Sequence, residues 1–187
     1  YRFAADEETA RLLLNSIFLN VTTLGIPCLY YGTEQGFDGS GDADKYIREC
    51  MFGGKFGAFR SQNIHFFNEK SEIYKGIKKI FKLRKDNIAL RHGRQYLRPI
   101  THNKDQDFYL PKQSEEERIT DIIGWSRVLS EEELLLVINT DLENKKEIYI
   151  KIDPYLNEEN DIYECIYSSS KIQIGVEAEV KNINGNL

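Results

Sequence analysis

The run Gly25-Ile26-Pro27-Cys28-Leu29-Tyr30-Tyr31-Gly32-Thr33-Glu34-Gln35 decides how this chain is read. Proline cannot donate a ladder hydrogen bond, so Pro27 suits the first position of a strand. Cys28 to Tyr31 follow without polar alternation, the pattern of a parallel strand buried on both faces, and Cys28 reads there as a small hydrophobe. Gly32 permits a sharp turn. Thr33, Glu34 and Gln35 then place polar groups beyond the strand's C-terminal end, where parallel α/β folds bind ligands.

Upstream, Asp6 is a candidate N-cap, Glu7 and Glu8 suit the positive end of a helix, and Leu13, Ile17, Val21 and Leu24 recur at helical spacing. A helix over 6–24 is predicted, ended by Gly25. Downstream, glycines surround Phe37 and Asp38 in a loop. Asp38, Ser40, Asp42 and Asp44 alternate as oxygen ligands do in a calcium loop, but no Glu stands at the twelfth position. A solvated acidic loop fits the same pattern, and no metal is assigned. In Met51 to Arg60, Phe52, Phe56 and Phe59 alternate with glycines, so these rings either line a cleft or pack a long loop. His65 beside Phe66 and Phe67 reads as packing, without a nucleophile context.

Ser71 can cap a second helix, with Ile73, Tyr74, Ile77, Ile80 and Phe81 on one face. Lys78, Lys79, Lys82, Arg84 and Lys85 form a solvated face and load its C-terminal end with positive charge. From about Gln95 the period becomes that of strands, predicted over 95–100, 108–110, 119–129, 134–139, 147–152 and 161–167. Ile148, Ile150 and Ile152 alternate with Tyr149 and Lys151, as in an outer strand with one face in the core. Leu134 to Ile138 is continuously apolar and is expected to be central. Trp125, preceded by Ile122 and Ile123, is expected in the core rather than on a ligand platform.

The chain has 187 residues, 41% hydrophobic and 29% charged, enough for a core and for two small domains. A net charge of -5 argues against a nucleic-acid partner, and no run approaches the roughly 20 apolar residues of a membrane helix. An uncharged ligand is compatible. Cys28, Cys50 and Cys165 are too few and too widely spaced for a disulfide framework or a zinc site.

The Gly25–Gln35 run resembles the last barrel strand of the α-amylase superfamily, glycoside hydrolase family 13, with its pattern G-x-P-x-x-Y-x-G-x-E. The resemblance continues through R-E-C-M-F, K-L-R-K-D-N, G-W-S-R and V-I-N-T-D. It implies an α/β plus all-β fold: the last βα portion of a (β/α)8 barrel, followed by an antiparallel β-sandwich. Residues 1–90 would hold the seventh helix, eighth strand and eighth helix of the catalytic barrel, and 91–187 the sandwich. Tyr1-Arg2-Phe3 looks like the tail of the family's N-H-D segment.

Glycoside cleavage needs two carboxyl groups. In family 13 the nucleophile, the acid/base and a third Asp lie on strands four, five and seven, and no matching motif occurs here, so the resemblance implies no catalytic residue in this chain. It implies a role at the rim instead. Asp42 falls on a sugar-contacting Asp of cyclodextrin-forming members, and the assisting Arg is Tyr46 here, able to stack on a sugar face. Asp42, Tyr46, Arg48 and Phe37 are the candidate substrate-binding residues, with Arg2, Glu34 and Gln35 supporting the rim and Arg2 and Glu34 candidates for an ion pair. The expected substrate is an α-glucan or oligosaccharide. Calcium is compatible with the parent protein, with no cofactor in this chain. An unpaired strand implies further partners, the rest of a barrel or a second copy. The other reading is a non-catalytic sugar-binding or structural relative of the same fold.

Overall fold

The structure, a computed structural model, describes residues 7–37, 51–52, 67–112, 119–141, 143–183 and 185–187. The chain divides into two compact units, Tyr1–Asp86 and Asn87–Leu187.

In the first unit, helix α1 spans Glu7–Thr22 and buries Leu13, Ile17 and Val21, a stripe repeating every fourth residue. It stops two residues short of the expected end. Thr22 and Thr23 turn their hydroxyls back onto the Phe18 and Leu19 carbonyls, 2.6 and 2.8 Å away, and Gly25 follows at φ 128. Helix α2 spans Glu72–Asp86 and buries Ile77 and Ile80. As the sequence suggests, Ser71 caps it: its Oγ accepts from the Tyr74 amide at 3.1 Å. The two helices meet closely at Gly76, where a Cβ would stand 2.6 Å from Leu14 Cδ2.

The Gly25–Tyr31 stretch departs from expectation. Residues 26–30 pair with no strand among the described residues, Ile26 is 95% exposed, and Tyr30, Tyr31 and Cys28 are exposed as well. A strand buried on both faces needs neighbours on either side to supply its ladder. The described residues provide none, so Cys28 is not a core residue here.

The second unit begins with a short helix, α3, over Ile88–His92, burying Ala89 and Leu90. Strands β1 (Arg94–Arg98), β3 (Ile122–Leu129) and β4 (Glu132–Asn139) form an antiparallel sheet in the order β1-β3-β4. Strand β2 (Ile100–Thr101) pairs with β5 (Tyr149–Ile150), and β6 (Ile162–Glu164) with β7 (Glu177–Glu179). Gly124, Trp125, Ser126 and Arg127 are buried in succession, so β3 is covered on both faces. This corrects the expected place of Leu134–Ile138. β4 lies at the sheet's edge with Val137 40% exposed, because β1 returns to the far side of β3. Trp125 is 1% exposed and sits in the core, as expected. The expected alternation over 147–152 is seen only in part: β5 covers Tyr149–Ile150 alone, Tyr149 is exposed and Ile152 buried, and Ile148, Ile150 and Lys151 are all half-buried.

Candidate functional site

The polar end of the Gly25–Gln35 run folds as a tight knot. Gly32 and Gly36 take left-handed conformations, φ 81 and 67, on either side of a 3-10 turn over Thr33–Gln35. The Phe37 amide donates to the Gly32 carbonyl at 2.9 Å, and its ring lies against Gly32 so closely that a Cβ there would fall 2.4 Å from Phe37 Cδ2. Phe37 is 1% exposed. Its ring therefore wedges the turn and is closed to a ligand in this arrangement.

Gln35 is buried, and its Oε1 accepts from the Asn68 amide at 2.6 Å. Its Nε2 is buried without a hydrogen-bond partner among the described residues. Glu34 is half-buried on the outside of the same turn. Just before it, the Tyr30 and Tyr31 rings lie 4.7 Å apart, tilted by 43° and open to solvent. The sequence reading thus brings Glu34, Gln35 and Phe37 together. Asp42, Tyr46, Arg48 and Arg2 lie outside the described residues.

Phe52 and Phe67 stack with centroids 6.5 Å apart, and Phe67 meets Tyr74 edge-on at 5.7 Å. Both phenylalanines remain exposed, Phe67 against the packing role expected of it, and Phe56 and Phe59 lie outside the described residues. Among the described residues no group of three or more His, Cys, Asp or Glu side chains converges as metal ligands would. The Asp38–Asp44 alternation lies outside them.

Arg84 is the contact that sequence reasoning missed. Instead of joining the solvated lysines, it donates from Nη1 to the Val21 carbonyl at 2.6 Å and from Nη2 to the Gly25 carbonyl at 2.8 Å. Basic residues near a helix end are legible as dipole partners; that Arg84 would serve the end of another helix is not.

In the second unit, polar chemistry gathers in two places. Glu133, its side chain 1% exposed, accepts on Oε1 from Arg98 Nη2 at 2.6 Å and from the Ser126 hydroxyl. Its Oε2 accepts from the Asp153 amide at 3.0 Å and Asn157 Nδ2 at 2.7 Å. The Tyr163 hydroxyl lies 2.8 Å from Asn157 Oδ1 and 3.2 Å from Glu133 Oε2; burial, then the Glu133 charge, raises this phenol above its ordinary range. Elsewhere, Asp121 accepts from the Tyr109 hydroxyl at 2.7 Å and lies 2.9 Å from His102 Nε2. Burial and then the Asp121 contact push Tyr109 up to about 12. For Asp121 itself burial works upward, but donation from Tyr109, the Ile122 amide and His102 outweighs it and holds the carboxyl below its ordinary value. The Glu133 cluster is spent on internal contacts. It ties strands together and offers a ligand little.

No family model matches the chain. Its fold is found in solved cyclomaltodextrin glucanotransferases. One, with a three-domain ABC distribution, superposes with a TM-score of 0.56 at 23% identity, over 97% of this chain and 29% of the other. Another, the γ-cyclomaltodextrin enzyme of alkalophilic Bacillus clarkii, gives 0.52 at 21% identity, over 98% and 21%. In sequence, the chain is homologous over about half its length to α-amylases and cyclomaltodextrin glucanotransferases of glycoside hydrolase family 13, consistent with a C-terminal portion of such a protein. Alpha-amylase mde5 of Schizosaccharomyces pombe is 32% identical over 101 residues, 54% of this chain and 17% of that protein. A cyclomaltodextrin glucanotransferase of Niallia circulans is 32% identical over 92 residues, 49% of this chain and 11% of the enzyme. The chain thus spans less than a fifth of either relative.

Proposed function

We propose that this chain belongs to a retaining, α-glucan-active glycoside hydrolase or transglycosylase, for which it supplies the strand-eight side of the active-site cleft and the terminal β domain. The relationship to α-amylases and cyclomaltodextrin glucanotransferases carries the reading. The Gly25–Gln35 pattern supports it, since such a segment suits one strand of a larger parallel barrel, with the terminal β domain following from residue 91. Its polar end, at Glu34 and Gln35, then faces the cleft. Asp42, Tyr46 and Arg48 contribute the sugar contacts, and the carboxylates that break the bond come from other strands. The chain alone binds oligosaccharide and does not cleave it.

The test is calorimetric titration of the purified chain with maltoheptaose, beside a reducing-sugar assay on soluble starch. Binding without turnover is the expected result. Turnover by the chain alone refutes the assignment of the catalytic carboxylates to other strands. Absence of binding points to a structural role.

A further inference from the structure

Of the Gly25–Phe37 stretch, one end is tied to α2 and the other to the turn that leads into it. At the start, the Arg84 guanidinium in the last turn of α2 bridges the Val21 carbonyl, near the end of α1, and the Gly25 carbonyl. At the far end, the buried Gln35 side chain accepts the amide of Asn68, just before α2 begins. Between these ties, residues 26–30 run outside the named helices and strands. The knot at the far end is tightly packed, with Gly32 and Gly36 left-handed and Phe37 wedged on Gly32. Gln35 keeps its place although its Nε2 is buried without a partner among the described residues, an unfavourable arrangement that its contact with Asn68 must offset.

We propose that Arg84 and Gln35 are positioning residues that clamp the two ends of Gly25–Phe37 onto α2 and the turn that leads into it, so that the stretch moves as one body and presents Glu34 and the Tyr30–Tyr31 pair in fixed register. The ligand rests on the carbohydrate reading above; the clamp is a property of the chain itself.

Amide hydrogen exchange tests the clamp. The Thr23 amide, bonded to the Leu19 carbonyl, reports one end, and the Gly36 and Phe37 amides, bonded to Thr33 and Gly32, report the other. Arg84→Met is expected to speed exchange about tenfold at Gly36 and Phe37 as well as at Thr23, and Gln35→Leu to do the reverse across the same distance. Arg84→Lys, which keeps the charge but not the two-pronged contact, is expected to give the same pattern at smaller amplitude, and serves if Arg84→Met fails to fold. Effects confined to the mutated end overturn the proposal, because two independent caps would behave that way. Maltoheptaose titration of Gln35→Leu is expected to show at least about fivefold weaker binding. Failure of the unmutated chain to bind refutes the carbohydrate reading, while the exchange pattern alone still decides the clamp.

Discussion

The contact between Tyr109 and Asp121 has a pH signature of its own. Tyr109 is raised from 10.0 to about 12 in the folded chain, so the fold favours its protonated form. That contribution is complete below the ordinary tyrosine value and is lost as pH rises through the folded one. Asp121, held below 3.8, contributes in the opposite direction: its share is present above that value and is lost in acid as pH falls through the depressed one. Between pH 10 and pH 12 the unmutated chain should therefore lose more stability than Tyr109→Phe, which has no phenol to ionise. Urea midpoints across this range check it, and parallel curves would exclude the coupling. Neither partner was legible in the sequence. Tyr109 and Asp121 lie in different segments, and the pairing of Ile100 with Tyr109 and of β1 with β3 brings their surroundings together.

At the scale of elements, Glu133 joins β4 to β1 through Arg98, to β3 through Ser126, and to the 153–157 turn. Removing it leaves Arg98, its side chain 12% exposed, without its closest carboxylate and strands four further donors or hydroxyls. Glu133→Ala should cost about 3–5 kcal/mol, read from chemical denaturation followed by circular dichroism. A loss within experimental error would mean that water replaces the carboxylate. The element pattern itself was legible where a local rule governs. The Ser71 cap and the helical stripes of α1 and α2 depend on near neighbours and appear where expected. Leu134–Ile138 misled because an apolar run reports what touches a strand's faces, whereas its lateral rank depends on which other strand returns beside it. Phe37 looked like a ligand-facing aromatic beside flexible glycines, but Gly32, upstream of it, makes room for its ring.

For the whole molecule, Leu24, Ile26, Tyr30 and Tyr31 are exposed and close together in the sequence, apolar surface of a kind that favours association. The chain is expected to associate in light scattering at micromolar concentration, and Ile26→Lys, which puts a charge on the 95% exposed position, should lower the apparent mass. A monodisperse monomer before mutation would rule this out. The family resemblance was readable from the Gly25–Gln35 pattern, but the exposure of that run was not, since the pattern describes a strand among its neighbours.

Trp125 is the chain's single tryptophan and lies in the second unit, 1% exposed. Selective tryptophan excitation therefore reports from inside the 87–187 unit, which holds neither of the two long helices. Far-ultraviolet ellipticity is weighted toward those helices, α1 and α2, in the other unit. One sample carries two separate meters, and their melting curves coincide only when both halves come apart together.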